Sequence, residues 1–168
     1  MKIISLIAFG FAFATALPAV NAASSQDQVF VNEAATGGLM EIQLGKLASQ
    51  KSSTPDVKQF GERMVTDHTR LNTELGTAAK ASGLKVPTEL TSAQKAEYNR
   101  LSKLSGKAFD KSYITLMVKD HTDDLASFQK QEAATHNAKL KKAVSGAIPV
   151  IQEHLDMAKS ASTKLASS

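Results

Sequence analysis

The sequence predicts an all-α protein in which four long helices form an antiparallel bundle, with a short extra helix between the second and the third. Apolar residues recur at spacings of three, four and seven, which is the periodicity of amphipathic helices, and no strand-like alternation interrupts them. A chain of 168 residues that is 42% hydrophobic can bury one core of ordinary size. The predicted long helices cover residues 27–51, 55–82, 106–134 and 138–165, and the short one covers 92–104.

The first two helices are recognised by their apolar stripes and by their ends. Phe30, Met40 and Leu44 define the core face of the first, with Glu33 on the same stripe and Glu41 beside it. The second begins at the segment 54–56, where a threonine cap precedes a proline and an aspartate in the first turn. We expect it to end just before a glycine at position 83.

The connection between the second and third helices is long for a simple hairpin. Thr91 and Gln94 have the spacing of a capping box and predict the short helix within it. Ferritin-like bundles use such a crossover to join two antiparallel helix pairs, so the sequence favours that architecture. A break at 135–137 then separates the third long helix from the fourth.

The amino-terminal segment has the pattern of a secretory signal peptide. Lys2 precedes an apolar run, and small or apolar residues lead to an expected cleavage after Ala22. We therefore expect residues 1–22 to be removed and residues 23–168 to form a single domain, periplasmic or secreted. Because the chain has no cysteine, it lacks the acylated cysteine of a lipoprotein, and disulfide and thiolate–metal chemistry are also excluded.

Composition and charge exclude several classes of partner. The net charge of +4 is small, and the lysine cluster at 139–142 has no interleaved aromatic residues, so we expect no nucleic-acid binding. The positive charge of that cluster is consistent only with a weak association with the cell envelope. The helical pattern also predicts no transmembrane segment after the signal, and it does not fit an outer-membrane β-barrel.

A short repeated segment contains two of the histidines. Residues 64–69 (MVTDHT) recur as residues 117–122 (MVKDHT), and the acid–histidine pair appears a third time near the carboxyl end. In all three cases the histidine replaces an apolar residue in a core stripe, at a similar depth in its helix. The three histidines are His68, His121 and His154.

This pattern predicts a candidate metal site at the middle of the bundle. His68, His121 and His154 with Glu41 offer imidazole nitrogen and carboxylate oxygen, which suit a single zinc, copper or iron ion. Four acids are candidates for a supporting role, three of them through hydrogen bonds to a neighbouring helix's histidine. These are Asp67, Asp120 and Glu153, with Glu33 as a further carboxylate on the first helix.

The chain resembles a family of exported bacterial proteins catalogued as a domain of unknown function with a ferritin-like bundle, many of whose members are labelled outer membrane proteins. The resemblance covers about 29–165 and rests on segments 32–35, 57–68 and 105–121 with Glu41 and His154. It implies the fold and the exported location but no activity. Di-iron bundles carry Glu-x-x-His, whereas Val65, Val118 and Ile151 stand three residues before these histidines, so one ion is favoured over two.

The sequence is compatible with three functional hypotheses. The first is a non-enzymatic exported bundle that binds one metal ion, and the second is a metal-dependent redox enzyme. The third is a metal-free, pH-responsive envelope stress protein, because imidazoles titrate near pH 6.5.

Overall fold

The computed structural model describes residues 24–167, so the predicted signal peptide lies outside the described residues. Within that range the chain forms five helices and no strand, which confirms the all-α prediction. No helix in this part of the chain combines the length and the apolar character needed to cross a membrane. The helices are α1 (Ser25–Lys51), α2 (Pro55–Lys80), α3 (Ser92–Ser102), α4 (Gly106–Ala134) and α5 (Ala138–Ala166).

Local capping determines where the helices begin. The side chain of Ser24 accepts a hydrogen bond from the Asp27 backbone N–H at 3.0 Å, and the Asp27 carboxylate accepts one from the Ser24 N–H at 2.8 Å. This capping box starts α1 at Ser25, two residues before the predicted position. Asp27 occupies the place in the box that glutamate or glutamine usually holds, so the sequence pattern did not reveal it. The predicted box of Thr91 and Gln94 at the start of α3 is confirmed.

Each long helix packs antiparallel against two others. Around the core the order is α1, α2, α5, α4, and α3 lies against α1 and α4. The antiparallel direction follows from cross-helix pairs in which residue numbers rise on one helix as they fall on the other. Such pairs are Gly38–Asn72 and Gly45–Gly61, Asp27–Gln131 and Glu41–His121, and Asp56–Lys164 and Asp67–His154.

A polar layer separates the two ends of the apolar core. Toward one end Phe60, Met64 and Met117 belong to a large buried cluster, and toward the other Leu71 and Ile151 begin further clusters. The histidine positions on α2, α4 and α5 fall between these apolar residues, as does Glu41 on α1 next to Met40. The core therefore has four buried polar side chains at its middle.

A close crossing of two glycines holds α1 against α2. A Cβ atom built on Gly45 would lie 2.5 Å from the Gly61 carbonyl oxygen, and one built on Gly61 would lie 2.7 Å from the Gly45 oxygen. Because backbone atoms are the obstacle, no side-chain rotation relieves this overlap. The crossing lies one turn of α1 from Glu41 and so fixes the separation of α1 and α2 near the polar layer.

We expect Gly45→Ala to lower the free energy of unfolding by about 2 kcal/mol, because the new methyl group forces the two helices apart. Urea denaturation followed by circular dichroism measures this. Gly146→Ala is the matched control, since nothing lies within 4 Å of a Cβ at that helical position. It should stabilise the protein by about 0.5–1 kcal/mol through helix propensity, and equal effects of the two substitutions would contradict the close-crossing account.

Candidate metal centre

Three imidazole rings from three different helices meet in the polar layer. His68 on α2 is 5% exposed, and His121 on α4 and His154 on α5 are fully buried. Their ring centroids form a nearly equilateral triangle, with separations of 5.6 Å (His68–His121), 5.1 Å (His68–His154) and 5.3 Å (His121–His154). The structure thus brings together the three histidines that the sequence singled out.

Glu41 supplies a carboxylate from the remaining long helix. Its Oε2 lies 2.9 Å from His68 Nδ1, and its Oε1 lies 3.5 Å from His121 Nε2. The residue is only 3% exposed. Glu41 therefore contacts His68 and approaches His121, and each long helix contributes one of these four residues.

Each ring uses one nitrogen to hold its orientation. His68 Nδ1–H donates to Glu41, His154 Nε2–H donates to the Asp67 carboxylate at 2.9 Å, and His121 Nδ1–H donates to the Met117 carbonyl at 3.0 Å. All three acceptors are oxygens without a proton to give, so the engaged nitrogen must carry the hydrogen. This fixes the tautomer of each neutral ring.

The other nitrogen of each ring has no hydrogen-bond partner. These atoms are Nε2 of His68, Nε2 of His121 and Nδ1 of His154, and Glu41 Oε1 is likewise buried without a hydrogen bond. In a neutral ring whose other nitrogen holds the hydrogen, each such nitrogen presents a lone pair. One nitrogen from each histidine lies within 4.8 Å of the others. The centre consequently gathers several electron-pair donors at one level of the core.

The electrostatics keep the carboxylate charged. Burial alone would raise the pKa of Glu41, but the charge interactions with His68 and His121 outweigh it and hold that pKa at about 2. Burial lowers the pKa of His154 to about 4 despite its hydrogen bond to Asp67, and burial also lowers the pKa of His121. At neutral pH both of these rings are uncharged, as metal-binding imidazole must be.

Of the four acids predicted to support the site, Asp67 is the one that meets a histidine. It points across to α5 and also accepts from the Arg63 guanidinium on its own helix. Burial would raise the pKa of Asp67, but its hydrogen bonds to Arg63 and His154 lower it. Glu153 is exposed and pairs with Arg63 at 3.2 Å, so it contacts the arginine and not, as expected, a histidine.

Asp120 and Glu33 lie elsewhere than predicted. Glu33 is exposed, and with Asp120 it lines a cavity between α1, α3 and α4. An aspartate directly before a helical histidine projects about 100° away from it around the helix. On α4 this places Asp120 in the cavity, whereas on α2 it places Asp67 against His154 of α5. Burial and the nearby charge of Glu41 raise the pKa of Asp120 to about 6.

Sequence reasoning missed three further groups. Arg63 precedes Asp67 by four residues, a spacing that indicates an ion pair on a helix. Asp124 lies in the same cavity as Asp120, and burial and the charge of Glu41 raise its pKa to about 8. The Met117 carbonyl that orients His121 could have been found, since it lies one helical turn earlier.

The donor set fits a borderline divalent ion better than a hard one. Three imidazole nitrogens and one carboxylate oxygen are donors that zinc, copper and iron accept, whereas calcium and magnesium prefer oxygen. Donors ~2.1 Å from a tetrahedral zinc ion lie roughly 3.4 Å apart. One nitrogen from each ring lies within 4.8 Å of the others, so the rings would have to move closer together to bind one ion.

The comparisons with known proteins identify the family. A family model described as "Domain of unknown function (DUF4142)" matches residues 12–161, which is most of the chain. The protein belongs to this family, which confirms the resemblance to a domain of unknown function. No curated protein and no solved structure matches it.

The lowered pKa of His154 predicts a specific pH dependence. Between about pH 6.5 and about pH 4 the unfolded chain binds a proton at this ring that the folded chain does not bind, so stability falls as the pH falls through this window. From pH 7 to pH 4.5 the wild type should lose about 2 kcal/mol more than His154→Gln, which does not titrate.

Metal-free protein should be used for these denaturation curves, and His136→Gln is the control. His136 is the fourth histidine and is exposed, so its replacement should leave the pH dependence unchanged. Parallel pH profiles for the wild type and His154→Gln would show that His154 is not held neutral.

Proposed function

We propose that this protein binds a single divalent transition metal ion, zinc, copper or iron, in the middle of its core. The observation that carries the proposal is the convergence of three buried imidazole rings, each with one unpartnered nitrogen, beside the unpartnered Oε1 of Glu41, which lies 3.5 Å from His121 Nε2. Buried polar atoms nearly always have a partner, and a metal cation, which accepts electron pairs, would provide one for these acceptors.

The protein's own residues prepare the centre for an ion. His121 and His154 need not lose a proton to bind, and the Glu41 carboxylate is already charged. Asp67 and the Met117 carbonyl hold two of the rings at their outer nitrogens, an arrangement that fixes ring orientation and strengthens imidazole as a donor. Arg63 compensates the charge of Asp67, so that carboxylate can stay ionised beside the core.

We further propose that the four long helices form a ferritin-like four-helix bundle and that the protein acts in the periplasm or outside the cell. The long connection through α3 and the antiparallel neighbours support the first point. The apolar amino-terminal segment supports the second. Valine or isoleucine replaces the glutamates of a di-iron site at positions 65, 118 and 151, which supports a mononuclear centre.

A binding role is favoured over a redox enzyme because four protein donors saturate a tetrahedral ion. A catalytic metal site keeps a coordination position open for water or substrate. With Glu41 and three histidines engaged, the ion would be enclosed by the protein, which suits storage, sequestration or stabilisation of the fold.

One observation favours a second candidate function, a metal-free response to acid. The low pKa of His154, together with the lowered pKa of His121, means that acid must force charge into the core. An envelope protein of this kind would loosen below about pH 5. It would do so without any effect of added metal on its melting temperature.

Metal binding can be tested directly on protein purified without metal and titrated with Co²⁺ and Zn²⁺. We expect one Co²⁺ per chain with the intense visible absorption of a tetrahedral site, and a rise in melting temperature with Zn²⁺. Stabilisation should reach about 2.7 kcal/mol at a free metal concentration one hundred times Kd.

The variant His68→Gln/His121→Gln/His154→Gln should lose both effects, while His136→Gln retains them. Circular dichroism should be used to check that the triple variant is folded. Should wild type and triple variant take up equal, substoichiometric metal, the proposed centre does not exist. In that case an acid-dependent melting temperature would leave the pH-responsive role as the better account.

A further inference from the structure

An acidic cavity opens beside the histidine centre, between α1, α3 and α4. Its volume is about 360 Å³, roughly twice the space of the six water molecules around a hydrated cation. Its polar lining is dominated by carboxylates, and the described residues place no lysine, arginine or histidine among it. The six acids are Glu33, Glu41, Glu97, Asp120, Asp123 and Asp124.

Half of these carboxylates have no cationic partner within ion-pair distance. Glu97 pairs with Arg100 at 2.7 Å, and Asp123 pairs with Lys119 at 2.6 Å. Among the described residues, none forms a salt bridge with Glu33, Asp120 or Asp124, and Glu41 pairs only with histidines. The cavity therefore holds more carboxyl groups than cations close to a buried site, and its negative charge grows as Asp120 and Asp124 ionise, with pKa values of about 6 and about 8.

Glu41 connects the cavity to the histidines. It lines the cavity, it is 3% exposed, and its Oε1 has no hydrogen-bond partner. The same carboxylate contacts His68 through Oε2 and approaches His121 through Oε1. An ion at the floor of the cavity would thus meet one of the four proposed metal donors before it met the others.

The second cavity that touches the centre is unsuited to an ion. It also borders Glu41 and His68, but its volume is about 20 Å³, roughly the space of one water molecule. Leucine, isoleucine, alanine and phenylalanine make up most of its lining. A hydrated cation could not pass through it without losing its water to an apolar wall.

We propose that the acidic cavity is a capture site for hydrated divalent cations and the path by which a metal ion reaches the histidine centre. This inference rests on the proposed metal-binding function. Carboxylates line the path and hold the ion with its water, Glu41 is the first donor to replace a water molecule, and the three imidazoles complete the coordination. Negative charge in a cleft raises the local concentration of cations and their association rate.

The charge of the path can be tested by the rate of Co²⁺ binding, followed by stopped-flow visible absorption at pH 8. In Asp120→Asn/Asp124→Asn the association rate constant should fall at least threefold at about 10 mM salt, and the difference should shrink at high salt as the charges are screened. Asp156→Asn/Glu62→Gln removes at least as much negative charge from exposed positions on α5 and α2, because Asp124, with a pKa of about 8, is only about half ionised at pH 8, and it should bind at the wild-type rate.

The shape of the path can be tested without changing charge. Gly37 lines the cavity and has nothing within 4 Å of a built Cβ, so Gly37→Leu should fill the space and leave the helix intact. Slower association and slower dissociation, by the same factor of about three or more, with unchanged Kd, would identify the cavity as the path in both directions.

The two proposals fail in different ways. Absence of stoichiometric Co²⁺ binding at equilibrium in the wild type would overturn the metal centre itself. Stoichiometric binding with wild-type rates in both cavity variants would retain the centre and overturn the path. Equal slowing by the control variant would assign the effect to net charge and also overturn the path.

Discussion

The buried carboxylate of Glu41 is the constraint on which the arrangement of the core depends. Leaving a charge uncompensated inside a protein costs several kcal/mol, so the helices must bring compensating groups to it. His68 donates its Nδ1–H to this carboxylate and the His121 ring lies 3.5 Å from it, so α1, α2 and α4 meet at one level. His154 completes the layer from α5. Asp67 and Arg63 of α2 connect this histidine to solvent. The apolar clusters on either side can then pack without further polar groups at this depth.

The same constraint explains why the electrostatics of the neighbourhood are uneven. The charge of Glu41 is favourable toward the histidines and unfavourable toward Asp120 and Asp124, whose carboxyls hold their protons unusually tightly. One side of Glu41 is therefore a region rich in electron-pair donors, and the other is a region where crowded carboxyl groups resist ionisation. A cation would relieve both, which links the histidine centre and the acidic cavity through a single side chain.

Much of the fold and of the centre was predictable from the sequence, because helix periodicity and depth along a helix are local properties. The register of Glu41 with His68, His121 and His154 follows from counting residues at 1.5 Å per residue in antiparallel helices. The partners of the neighbouring acids were not predictable in this way. Asp67 and Asp120 have the same place in the repeated segments, yet one meets a histidine and the other lines a cavity, because different helices flank α2 and α4. Nor does periodicity reveal the glycine crossing, which depends on how closely two backbones approach.

The order of the helices around the core divides the centre equally between two hairpins. The α1–α2 hairpin carries Glu41 and His68, and the α4–α5 hairpin carries His121 and His154. Neither hairpin alone holds more than two of the four donors, so the centre comes into being only when the hairpins dock. A bound ion would act as a crosslink between two units that α3 and its flanking loops also join, and it would oppose their separation.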